Sequence, residues 1–139
     1  MRIPSRLPLV TLMVGSGIVH LVAPGYYERI VPRVLGHARL YVYGSGVAEI
    51  VGGLLLAWPR TRRLGGWVCA GLLVGVFPAN VQMALDGGAR GASGFLGSPV
   101  VAWLRLPFQA PLVWWACAEG RRGDLPGAAL AGPPGSSPS

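Results

Sequence analysis

The stretch Tyr41–Trp58, YVYGSGVAEIVGGLLLAW, is an apolar run with one carboxylate, Glu49, at its middle. About 20 mostly apolar residues cross the hydrocarbon core of a bilayer, and a slightly shorter run does so with local thinning. A charge at that depth costs about 2.5–3.5 kcal/mol on insertion scales. Glu49 is therefore expected to be protonated, paired, or turned towards a polar interior. The other segments can be read by what they offer it.

Three further apolar runs surround this one, so that helices are expected at about 7–23, 41–58, 64–85 and 100–118. Pro24–Gly25 closes the first and Pro59 the second. Pro78 interrupts the third, freeing carbonyls for a neighbour or water, and Pro107 and Pro111 bend the fourth. The segment Tyr26–Leu40 is amphipathic and reads as a short surface helix broken at Pro32. Residues 86–99 form a glycine- and serine-rich loop. Gly46, Gly52 and Gly53 leave room for close approach by a neighbouring backbone, and the third run contains Gly71-x-x-x-Gly75. The amino-terminal stretch has the charged start of a signal peptide without a small-x-small cleavage site, and reads as a retained first helix. The fold class that follows is all-α: a polytopic membrane protein with a four-transmembrane-helix bundle in one domain over 1–119. Residues 120–139 have the composition of a disordered cytoplasmic tail.

Composition agrees. Of the 139 residues 52% are hydrophobic and 12% charged, with a mean hydropathy of +0.50. That is the balance of a chain largely dissolved in lipid. The net charge of +7 consists of arginines in the short segments between apolar runs, without a basic face interleaved with stacking aromatics, which argues against nucleic acid as a partner. Seven arginines fall in the amino end, second connection and carboxyl end, against four in the first and third connections. The positive-inside rule then puts both termini in the cytoplasm. Cys69 and Cys117 match neither a metal-site nor a CxxC spacing and read as small buried hydrophobes, and no metal site is expected.

The polar residues inside the runs share a pattern. Ser16/His20, Ser45/Glu49 and Arg105/Gln109 are i, i+4 pairs, each on one helical face. At about 1.5 Å of rise per residue, His20, Asn80, Arg105 and Glu49 all fall within roughly 5–12 Å of the outer helix ends. Arg105 is the expected ion partner of Glu49, because a guanidinium presents a fork that matches a carboxylate. Gln82 lies about 200° round the helix from Asn80 and cannot share its partner. His20, Ser45, Glu49, Asn80, Arg105 and Gln109 then form either a polar clip that holds four helices in register or a pocket. Such a pocket, open towards the outer face, would hold a small polar or aromatic ligand or relay a proton.

These residues also carry a family resemblance. His20, Pro32, Gly44-Ser45-Gly46-Val47-Ala48-Glu49, Phe77-Pro78-Ala79-Asn80 and Arg105-Leu106-Pro107-Phe108-Gln109 resemble the DoxX-like family of small four-helix membrane proteins, over about 14–116. The resemblance implies a bundle in the cytoplasmic membrane and a redox association: quinone-linked sulfur oxidation, resistance to quinones and catechols, or oxidative-stress complexes. It implies a quinone as the non-covalent ligand and a membrane-associated oxidoreductase as the partner. No dinucleotide, haem or metal motif is present in the sequence, which reads as an accessory membrane subunit rather than an autonomous enzyme. The competing reading is a non-catalytic scaffold or anchor for a partner protein. A proton-coupled carrier is disfavoured by four short helices without inverted repeats.

Overall fold

The computed structural model describes residues 5–95 and 97–122. Among these the chain is all-α, with α1 at Leu7–Val22, α2 at Pro24–Glu28, α3 at Ala38–Ala57, α4 at Arg62–Leu85 and α5 at Pro99–Arg122. A single 3-10 turn, Arg33–Leu35, lies between α2 and α3. The long helices α1, α3 and α4 begin and end within three residues of apolar runs in the sequence. Pro24 does more than stop α1. It occupies the first turn of α2, where its missing N–H is no loss and its fixed φ favours a helical start. Pro32 separates α2 from the 3-10 turn. In the loop 86–98, Gly87, Gly88, Gly91 and Gly94 all have positive φ, which is why that segment needs glycine.

Two helices, α3 and α4, are long and apolar enough to cross a membrane, with mean hydropathies of 1.5 and 1.7 over their most apolar windows. Only 28% and 22% of those windows is buried inside the chain. The 16-residue α1 is apolar but shorter.

Each long helix packs antiparallel on the next: α1 on α3, α3 on α4, and α4 on α5. Glycines set the spacing. A Cβ on Gly17 would stand 2.5 Å from the Gly46 carbonyl oxygen, and one on Gly53 would stand 2.7 Å from Val14 Cγ2. Gly52 meets Val68 and Cys69, Gly65 lies on the Leu56 backbone, and Gly66 lies on the backbone of Gly120. Gly46, Gly52 and Gly53 thus make the close approaches their sequence suggests. Gly71 and Gly75 do not, because no neighbouring atom lies within 4 Å of a Cβ built on either.

The carboxyl-terminal end differs from the sequence reading. Helix α5 runs to Arg122 rather than stopping near 118, so the tail expected from 120 loses its first three residues to the helix. Glu119 explains the extension. It is fully buried, accepts a hydrogen bond from Arg62 Nε at 2.7 Å and another from Arg62 Nη2, and lies 3.7 Å from Arg122 Nη1. A carboxylate at a helix C-terminus opposes the macrodipole, and the two guanidinium groups offset that cost. Residues 123–139 lie outside the described residues.

The interior has two apolar clusters. Leu9, Met13, Leu56, Cys69, Ala70 and Ala116 pack at the end where α1 starts and α5 finishes. Met83, Ala84, Ala89 and Ala102 pack at the other end with Ile30 and Leu106. Between them the helices part.

The glycine pattern predicts opposite outcomes for two similar changes. Gly66→Ala drives a methyl into the Gly120 backbone and should destabilise the purified protein by about 1–3 kcal/mol. Gly71→Ala meets open space and should be neutral or stabilising by up to about 1 kcal/mol, since it removes a helical glycine. Thermal unfolding of the two variants side by side checks both signs.

Candidate functional site

The parting of the helices leaves a cavity of about 500 Å³. His20, Ser45, Glu49, Asn80, Arg105 and Gln109 all line it. Gly71 and Gly75 form part of its wall, which is why a Cβ on either meets nothing. The remaining wall is apolar and includes Leu12, Leu72, Val76, Phe108 and Leu112.

Helices α1 and α3 build one polar pole. The contact of Gly17 with Gly46 brings the two backbones together, and one turn further on it seats His20 Cβ beside Gly46. His20 Nδ1 lies 2.8 Å from the Ser16 carbonyl oxygen and 3.4 Å from Glu49 Oε2. A carbonyl only accepts, so the Nδ1 hydrogen is committed to Ser16. The imidazole is then close to Glu49 without hydrogen-bonding it, and Oε2 is buried without a hydrogen-bond partner. Ser45 turns back to its own helix and donates to the Val42 carbonyl at 3.0 Å.

Helices α4 and α5 build the second pole. Asn80 Nδ2 donates to Gln109 Oε1 at 2.9 Å, and Gln109 Nε2 donates to the Leu73 carbonyl. Leu73 precedes Val74, whose carbonyl has no helical donor because Pro78 lacks an N–H. A glutamine from the facing helix therefore reaches into the stretch where the ladder is interrupted. Gln82 points elsewhere and donates to Asp86 Oδ1 at 2.9 Å.

The expected Glu49–Arg105 ion pair does not form. Among the described residues Glu49 lies beside the His20 imidazole, and the Arg105 guanidinium has only a distant contact, 4.0 Å, with Met83 Sδ. The reason is helix order: α3 packs on α1 and α4, whereas α5 packs on α4, so Glu49 and Arg105 reach the same cavity from different walls.

Two features escape the sequence reading. Tyr27 stacks on His20 with ring centroids 3.5 Å apart and planes 22° from parallel, giving the first pole an aromatic cover. Pro24 in a helix-starting position is the available signal, since the short helix it begins carries Tyr27 back over α1. The second is the cover itself. Ile30, Val31, Pro32 and Leu35 roof the cavity, and the roof is fastened to the loop 86–98. Arg29 Nη1 donates to the Gly91 carbonyl at 3.0 Å and Arg90 Nη2 to the Val31 carbonyl at 2.7 Å.

This geometry predicts which pairs are coupled. A double-mutant cycle on Glu49→Gln and His20→Ala should give a coupling of about 0.5–3 kcal/mol, as for residues in contact. The cycle on Glu49→Gln and Arg105→Leu should be additive within about 0.5 kcal/mol. Unfolding free energies of the single and double variants decide it.

No curated protein and no solved structure matches the chain. Residues 9–119, which contain the whole cavity, match the family described as Domain of unknown function (DUF8561), and the chain belongs to that family.

Proposed function

We propose that the chain is a four-helix integral protein of the cytoplasmic membrane, with both termini cytoplasmic, that holds a small quinone-like molecule in its cavity for a membrane-associated redox partner. The exterior supports the membrane setting. Leu54, Val74, Leu104 and Phe108 are more than half exposed on the faces of α3, α4 and α5. A soluble protein seldom exposes an apolar surface of this extent without a partner to cover it. Away from the helix ends the charged residues of the described chain are Glu49 and Arg105, and both line the cavity. Seven arginines against four supports the orientation.

The observation that carries the ligand reading is the carboxylate of Glu49, buried in a cavity of about 500 Å³ with an oxygen left unpartnered. That volume lies within the usual range for small-molecule sites, which runs to about 300–1,000 Å³. Polar groups on opposite walls with apolar surface between them suit a flat ring bearing oxygens at its two ends. The resemblance of the Gly44–Glu49, Phe77–Asn80 and Arg105–Gln109 segments to DoxX-like proteins is the ground for choosing a quinone among such rings. The reading assigns the chain itself no electron transfer: it binds, and the partner does the chemistry.

Topology comes first among the tests. Reporter fusions after Pro59 and after Arg122 should both report cytoplasm, and an external signal at either position overturns the arrangement. Ligand binding follows. Tetramethyl-p-benzoquinone should bind the purified protein, and Gly75→Leu, which fills the cavity from its wall, should abolish binding at unchanged or raised thermal stability. Calorimetric titration of both proteins is the measurement. Absence of binding by the unaltered protein would leave the non-catalytic anchor as the better reading.

A further inference from the structure

The cavity has a side as well as two ends, and the geometry points to a lateral portal there: the ligand enters from the hydrocarbon between α1 and α5, and carries one apolar chain that stays in that gap while its ring lies in the cavity. This inference rests on the proposed membrane setting and ligand site. It adds the route and the ligand class, a bilayer-borne amphiphile.

Helix order creates the gap. The long helices stand in the row α1, α3, α4, α5, each packed on the next. Such a row closes into a ring only where the last helix also packs on the first. Packed helices lie with their axes about 8–10 Å apart, and α1 and α5 do not approach each other in this way. The close glycine contacts of α1 are with α3 and those of α5 are with α4. What joins α1 to α5 is the floor, where Leu9 and Met13 share a cluster with Ala116.

Above the floor the gap has apolar lips. Leu12 on α1 and Phe108 on α5 both line the cavity, yet they are 44% and 66% exposed. At about 100° per residue, Leu12 lies about 140° round α1 from Gly17, which touches α3. Phe108 lies about 120° round α5 from Gly120, which touches α4. Each lip is thus turned away from the packed seam of its own helix. By rise, Leu12 stands about 8 Å from the start of α1 and Phe108 about 14 Å from the start of α5. Both heights fall within a hydrocarbon core of about 30 Å. A polar ligand passing between Leu12 and Phe108 finds no hydrogen-bond partner on either side chain, whereas an alkyl chain is as much at ease there as among lipid tails. The other exposed lining residues, Leu35 and Tyr41, belong to the roof and to the first turn of α3. They mark the competing route, from the headgroup end.

The test uses the full chain in phosphatidylcholine nanodiscs and two probes with one ring: tetramethyl-p-benzoquinone, and the analogue in which one methyl is replaced by a decyl chain ending in a photoreactive diazirine. On illumination the label should fall on α1 near Leu12 and on α5 near Phe108 and Leu112, and an excess of the tail-less ring should displace it. Leu12→Trp, which narrows the gap from an exposed position, should weaken the decyl probe by at least about tenfold and the tail-less ring by less than about twofold. The labelling needs no variant, so it stands even where the substitution impairs folding. Displaceable label on residues 30–35 instead, label spread over the outer faces of all the long helices, or a substitution that affects both probes alike overturns the portal while the ring site stands. Failure of both probes to bind the unaltered chain overturns the ligand site as well.

Discussion

The contact between Gly17 and Gly46 is the constraint on which the rest of the site depends. With no side chain on either residue, α1 and α3 approach until backbone meets backbone, and any Cβ there would stand inside contact distance of the facing strand of atoms. The approach fixes where His20 lies relative to Glu49, because His20 and Glu49 each sit one turn or less beyond the contact. The same device recurs towards the end of the molecule where α1 starts and α5 finishes, through Gly53, Gly65 and Gly66. It stops at Gly71 and Gly75. Interiors pack at the density of organic crystals with few voids larger than a water molecule. Between the two packed clusters that close packing gives way to a cavity of about 500 Å³.

Among the described residues two carboxylates are buried, and each keeps one oxygen without a hydrogen-bond partner, but their ion partners differ. Glu119 is enclosed by Arg62 and lies near Arg122, at an end of the bundle. Removing one partner of such a pair costs about 3–5 kcal/mol, so it fastens α4 to α5 firmly. Glu49 has an imidazole at 3.4 Å whose hydrogen is engaged elsewhere. A purely structural carboxylate with so poor a partner would be replaced at a gain by an apolar side chain of similar size, since an unsatisfied buried polar atom costs about 1–3 kcal/mol or more. The clip reading of the polar residues therefore suits Asn80 and Gln109, which are bonded between α4 and α5, better than it suits Glu49. Bonded groups tie the helices together, whereas Glu49 Oε2 and the Arg105 guanidinium face the cavity without such a bond.

The helices are legible in the sequence because apolar runs, prolines and glycines act locally, and each sets a boundary without reference to the rest of the chain. Which residues reach a common interior is also legible, since i, i+4 spacing fixes a face and rise per residue fixes a height. Partner choice is not. Glu49 and Arg105 agree in height and opposite charge, yet which helix neighbours which decides that Glu49 meets His20. Glycine spacing has the same weakness: Gly71-x-x-x-Gly75 has the pattern of a close contact and lines a void instead. The extent of α5 was hidden because Glu119-Gly120-Arg121-Arg122 looks like solvated tail until Arg62 and Gly66 are seen to pack on it. Tyr27 was hidden because a proline after an apolar run signals an end, and here it also begins a helix.

The two ends of the cavity are closed by forces of different kind, and this bears on how anything enters. The floor is a dry contact of Leu9, Met13, Leu56, Cys69 and Ala116, tied across by backbone contacts at glycines. Opening it would expose several fully buried side chains, at about 1.5–3 kcal/mol for each large one. The roof is the segment from Tyr27 to Leu35, resting on the cavity and fastened to the loop 86–98 by Arg29 and Arg90 through single hydrogen bonds to carbonyls. Each such bond contributes about 0.5–3 kcal/mol net, depending on how far its charge is exposed. None of Arg33, Val34 or Leu35 in that segment is buried. The roof is therefore held by less than the floor, and it lies beside Tyr27 and His20. The pole with the unpartnered carboxylate oxygen is thus the one nearest the more weakly held end.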